Sequence, residues 1–112
     1  MNKEEIKTYL KHRDPMLLVE TVRLENEKDA EGNDRLVAYG TYKVRGDEFF
    51  LQGHFPDYPV VPGVILCEMM AQSCALLLGE EIKTKLTFYT GIDQVRFKGQ
   101  VAMLRRDRNN MF

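Results

Sequence analysis

Fifteen consecutive residues, VILCEMMAQSCALLL at positions 64–78, are apolar almost all the way round a helix. A helix without a polar face must be enclosed, so the remainder of the chain has to supply a surface that wraps it. Pro62 suits the first turn of such a helix and Gly79 the position just past its end, which predicts one long helix over 64–78. The run falls short of the ~20 apolar residues that cross a bilayer, and the N-terminus, MNKEEIK, is too charged for a signal peptide. No membrane partner is expected, and the chain reads as cytoplasmic. Its 112 residues suit one domain, and 44% hydrophobic with 29% charged residues is an ordinary globular composition. A net charge of −1 argues against a general nucleic-acid partner.

The wrapping surface is legible in part. Asn2 with Glu5 three residues on has the form of a capping box, and Ile6, Tyr9 and Leu10 make an apolar stripe, so a short helix should open the chain and end before Pro15. Residues 16–24 predict a strand and the charged stretch 25–35 a turn, with the β-formers of 36–44 returning as a second strand. Short strands are expected at 86–90 and 94–97. One apolar helix among strands implies an α+β architecture, a curved antiparallel sheet wrapped around the helix.

Between these parts lies FFLQGHFPDYPVVPG, residues 49–63, with three prolines and two glycines among aromatic and aliphatic residues. Neither a regular helix nor a central strand tolerates that pattern. It is too apolar for a solvated loop, so a buried, shaped and functional loop is expected. His54 sits in it. Glu68 lies inside the apolar helix, where a carboxylate is expensive to bury, and shares a face with Gln72 at i+4. An imidazole near such a carboxylate gives one group able to take a proton and one able to give it. Equally, a lone loop histidine is often structural, and Glu68 with Gln72 can be no more than a polar stripe. Gly63, at the start of the helix, offers a backbone N–H where negative charge is favoured. Cys67 and Cys74 are too far apart on one helix for a disulfide and read as two buried thiols. His12 and His54 are far apart in sequence, and no metal constellation is present in the spacing.

The stretch QGHFPDYPVVPGVILCEMMAQ resembles the signature of the β-hydroxyacyl-acyl carrier protein dehydratases of bacterial type II fatty-acid synthesis, which have a hot-dog fold. HRDPMLLVE upstream and GIDQVRFKGQV downstream fit the same family in the expected order, and the resemblance covers residues 4–101. It implies that His54 is the catalytic histidine and Glu68 the catalytic carboxylate. It also implies that the Gly63 N–H binds the thioester carbonyl, and that the Val60 carbonyl orients the histidine. Phe49 departs mildly from the family, where proline is common. The implied reaction removes water from a (3R)-3-hydroxyacyl thioester to give the trans-2-enoyl thioester without a cofactor. Acyl carrier protein would be the partner, and the site would form across a homodimer. Phe50, Phe55 and Phe88 are candidates for lining an acyl tunnel.

The resemblance stops at 101. The family continues with a Pro-Gly-Asp turn and further strands, whereas AMLRRDRNNMF lacks strand alternation. A dehydratase domain over 1–101, incomplete in its sheet, followed by an atypical tail over 102–112 is therefore expected, from truncation or a frame-shift. Residues 1–81 hold nine basic against fifteen acidic side chains and residues 82–112 seven against two, so basic charge suited to an acidic carrier protein sits late in the chain. Two other readings stay open: a hot-dog thioesterase, which would hydrolyse the thioester, and a non-catalytic module that binds acyl chains or their carrier.

Overall fold

The computed structural model describes residues 1–84, 92, 94–97, 99, 110 and 111, and the capping box at the N-terminus opens its first element. Glu5 N–H donates to Asn2 Oδ1 at 2.9 Å and Asn2 N–H to Glu5 Oε1 at 3.4 Å, which starts α1 (Lys3–Tyr9). The last carbonyls of a helix lack intrahelical donors. Here Arg13 folds back to supply them, donating to the carbonyls of Lys7, Leu10 and His12 at 3.1, 2.9 and 2.7 Å.

The strand expected over 16–24 begins later, as β1 (Thr21–Lys28). Leu17, Leu18 and Val19 are buried but belong to no ladder. Their neighbour is a side chain: Gln72 Oε1 accepts from Leu18 N–H at 2.9 Å, and Gln72 Nε2 donates to the Met16 carbonyl at 2.8 Å. β1 pairs antiparallel with β2 (Asp34–Tyr42), from Thr21 opposite Thr41 to Lys28 opposite Asp34. The charged residues 25–28 are therefore strand, not turn. They stand on a solvated hairpin, where Arg23 meets Glu25 at 2.6 Å and Lys28 meets Asp34 at 2.7 Å. The turn itself shrinks to 29–33, where Asp29 Oδ1 accepts from the N–H groups of Glu31 and Asn33 and Gly32 takes φ +84°.

After β2 the chain turns on Glu48. Its carboxylate accepts from Arg45 N–H at 2.9 Å, Gly46 N–H at 2.7 Å and the Tyr42 hydroxyl at 2.8 Å. Burial pushes the Glu48 carboxyl up, but the two N–H groups and the hydroxyl outweigh it and hold the group below its ordinary 4.5. A 3₁₀ turn (Phe49–Leu51) then leads into the proline loop.

The long helix α2 spans Gly63–Ala75 and continues as 3₁₀ turns over Leu76–Thr84. The break falls at Gly79, with φ +61°, a conformation that glycine adopts without a Cβ penalty. Helical turns thus reach 22 residues over Gly63–Thr84, by length and composition enough to cross a membrane, where the sequence predicted a shorter run. α2 packs against β2 on one side. It is not enclosed: Val64 is 71% exposed, and Met70, Cys74 and Leu78 are also exposed. The expectation of two buried thiols therefore holds for Cys67 alone. The described sheet has two full strands and covers only one side of the helix.

The strand expected at 86–90 lies outside the described residues. The one expected at 94–97 is not a strand, and Gln94 has φ 53°, which interrupts an extended run. Conversely, the tail contributes β3 (Asn110–Met111), antiparallel to the end of β2 in the order β1-β2-β3. Side chains alternate about the 17–19 segment. Leu17 and Val19 join Ile6, Leu10, Val22, Leu76 and Ile82, while Leu18 joins Tyr42, Val44, Phe50, Leu51, Val61 and Met69.

Two stability outcomes follow from these contacts. Gln72→Met keeps the side-chain length but strands the buried Leu18 N–H, and should cost about 1–3 kcal/mol in urea unfolding, the scale for one buried polar group left alone. A loss below ~0.5 kcal/mol, the scale of neutral surface changes, would contradict it. Glu48→Gln should cost about 1 kcal/mol at pH 7, charge-assisted hydrogen bonds being discounted for solvent screening. Because the Glu48 carboxyl titrates lower folded than unfolded, its contribution is complete above the unfolded value and is lost as pH falls through the folded one. Unfolding in acid should therefore show the two proteins converging; an undiminished difference would contradict the assignment.

Candidate active site

The proline loop is tied together at His54. His54 N–H donates to the Leu51 carbonyl at 3.2 Å, and the His54 carbonyl accepts from Val60 N–H at 2.8 Å. Its ring Nδ1 lies 2.9 Å from the Val60 carbonyl oxygen. A carbonyl only accepts, so Nδ1 carries the proton and Nε2 keeps its lone pair. Gly53 precedes it with φ +84°, the His54–Phe55 peptide is cis, and the Phe55 ring stacks on the imidazole at 4.5 Å. The loop was expected to be buried. Phe50, Leu51 and Val61 are, but Phe55 is 56% exposed and Tyr58 is exposed, because no described element of the chain covers the loop tip.

Three residues after Val60, Gly63 begins α2 behind an N-cap, Pro62, that offers no side-chain cap. The Gly63 N–H points out of the first turn, where helix N–H groups have no intrahelical acceptor. A Cβ at this position would lie 2.7 Å from the Phe97 ring, so the close approach of that ring requires glycine here.

Glu68 lies one and a half turns along α2, with its side chain 20% exposed rather than enclosed. Two side-chain nitrogens converge on one of its oxygens. Gln72 Nε2 is 3.3 Å and His12 Nε2 3.5 Å from Glu68 Oε1. His12 escaped sequence reasoning, and Gln72 was met only in part. The i, i+4 spacing put Gln72 on the Glu68 face but could not show that its amide also holds residues 16 and 18. His12 stands in HRDP, the charged stretch between α1 and Pro15, and nothing in its spacing ties it to a residue of α2.

Among the described residues, no hydrogen bond or ion pair joins His54 to Glu68. Nor do the tunnel candidates meet. Phe50 is in the core with Tyr42 and Met69, Phe55 is on the loop surface, and Phe88 lies outside the described residues. An open groove of about 540 Å³ has a mixed lining, with Lys3, Asp14, Arg45, Asp47 and Glu48 beside Pro15, Leu17, Tyr42, Phe49 and Phe50. Neither His54 nor Glu68 borders it.

A family model for the FabA-like domain matches residues 10–107. The 3-hydroxyacyl-[acyl-carrier-protein] dehydratase FabZ of Clostridium perfringens (strain SM101 / Type A) is 50% identical over 103 residues, covering 90% of this chain and 68% of the relative. That of Halalkalibacterium halodurans is 48% identical over 100 residues, 88% of this chain and 66% of the relative. That of Streptococcus agalactiae serotype V is 45% identical over 101 residues, with 88% and 66% covered. The chain thus spans about two-thirds of the length of the curated relatives it matches. An antiparallel sheet laid against one long helix, with the GHFP loop leading into that helix, is the α+β hot-dog arrangement, and the chain belongs to the FabA-like family, within it to the FabZ-type dehydratases.

Proposed function

We propose that this chain removes water from a (3R)-3-hydroxyacyl chain carried on acyl carrier protein, in the cytoplasm, giving the trans-2-enoyl thioester of fatty-acid synthesis. The observation that carries the reading is the His54–Val60 contact. It fixes the imidazole as an Nδ1–H tautomer, so that Nε2 is a base held at the mouth of α2.

In the proposed elimination, Nε2 of His54 takes the proton from C2 of the substrate. The electron pair of that bond forms the C2–C3 double bond, and the C3–oxygen bond breaks. The leaving hydroxyl takes a proton from the Glu68 carboxyl, directly or through water, and departs as water. Exchange with solvent then returns the proton of the imidazolium and reprotonates the carboxylate. The Gly63 N–H donates to the thioester oxygen, where charge accumulates as the C2 proton leaves; a preorganised donor at that place lowers the barrier. No other group is required for this balance.

The site is proposed to form between two copies. Among the described residues no hydrogen bond or ion pair links His54 to Glu68, while Phe55, Tyr58, Val64, Met70 and Cys74 stand exposed along the loop and α2. A second copy laid against this face would cover them and would bring the His54 of one subunit to the Glu68 of the other.

Incubation with a 3-hydroxyacyl carrier protein, followed by mass spectrometry of the carrier-bound chain, should show loss of water. His54→Ala and Glu68→Ala should each slow turnover about 10²–10⁴-fold, the range for general acid–base groups. Near-normal turnover would remove that residue from the mechanism. Release of free acid would instead make the chain a thioesterase, and an unchanged substrate a binding module.

A further inference from the structure

Two side-chain nitrogens face one oxygen of Glu68, and no nitrogen is recorded against the other oxygen among the described residues. Gln72 Nε2 and His12 Nε2 both approach Oε1. Gln72 is held at its far side by Leu18 N–H and the Met16 carbonyl. His12 is held through its backbone, since Arg13 Nη1 donates to the His12 carbonyl at 2.7 Å while also reaching the end of α1. Both side chains are therefore held from the N-terminal part of the chain, Gln72 by residues 16 and 18 and His12 through its own carbonyl.

The His12 ring adds an independent fact. Among the described residues, its Nδ1 is buried without a hydrogen-bond partner. A buried acceptor without a partner is tolerated more often than a buried N–H without one, which argues that Nδ1 is the bare nitrogen and Nε2 bears the proton. The approach to Glu68 requires the same tautomer, because a carboxylate oxygen facing a ring nitrogen can only accept. We infer that His12 is a positioning residue for Glu68: its Nε2–H and the Gln72 amide fix Oε1, so that the carboxyl carries its exchangeable proton on Oε2. This rests on the reading of Glu68 as the group that protonates the leaving hydroxyl. It adds which oxygen does so, and it assigns the two histidines opposite tautomers, Nδ1–H at His54 and Nε2–H at His12.

The chain has only these two histidines, so both tautomers can be read from long-range ¹H–¹⁵N correlation of the full chain labelled with ¹⁵N-histidine, at about pH 8.5 where ordinary histidines are neutral. His12→Gln assigns the signals. The expected pattern is Nε2–H for His12 and Nδ1–H for His54, with Glu68→Ala shifting the His12 nitrogens alone. A His12 in the Nδ1–H form, or one indifferent to Glu68→Ala, overturns the inference. In turnover assays, His12→Ala should lower kcat by up to about 10²-fold with KM little changed, as misplacement of a reacting group does, and His12→Gln, which retains a donor, should recover part of it. An unchanged kcat in a folded His12→Ala protein overturns it too. Absence of turnover in the unsubstituted chain would count against the dehydratase reading, whereas the tautomer pattern decides the placement of His12 without reference to turnover.

Discussion

The Gln72 side-chain amide does for residues 16–18 what a neighbouring strand does elsewhere in a sheet. One group accepts from Leu18 N–H and donates to the Met16 carbonyl, so the stretch that buries Leu17 and Leu18 needs no ladder partner there. The same bond fixes the rotation of α2 about its axis. Gln72 is 2% exposed, and an amide in such a place has no solvent to fall back on. With that face of the helix set, Met69 and Leu76 enter the two halves of the core, and Glu68 emerges one turn earlier beside His12. Fold and site thus share a single polar contact.

From that contact outward, the local chemistry is spent on holding groups still. Backbone N–H groups set Glu48, and Arg13 closes α1 on three carbonyls. The proline loop bonds to itself around His54 through Leu51 and Val60. Each arrangement places a charged or titratable side chain by means of main-chain partners, which are less variable in position than other side chains. Groups so placed lose little freedom when a substrate arrives, and such preorganisation is what acid–base and oxyanion chemistry draws on.

Much of this was legible in the residues. The capping box of Asn2 and Glu5, the start of α2 behind Pro62 and its break at Gly79 are local chemistry, and local chemistry is written in adjacent letters. The extent of the hairpin was not, because charges in 25–28 lie as well on a solvated strand as in a turn. The spacing of Glu68 and Gln72 gave their common face, but a period names a face and not what meets it. His12 was hidden for the same reason: its neighbour is fifty-six positions away. The apolar character of 49–63 and 64–78 was read as burial within the chain. In the structure much of it is bare, since composition states that a surface will be covered and not whether the cover comes from the same molecule.

That bare face is where the proposed chemistry is decided, because among the described residues no hydrogen bond or ion pair joins His54 to Glu68, and a second copy is what would join them. Mixing His54→Ala and Glu68→Ala subunits through a common unfolded state is the direct measurement. A mixed dimer holds one His54 facing one Glu68, so turnover should return to roughly a quarter of the unsubstituted value when half the dimers are mixed and each has one of two sites intact. Turnover no higher than that of either variant alone, with mixed dimers demonstrated by mass, would place both residues in the same chain and contradict the shared site.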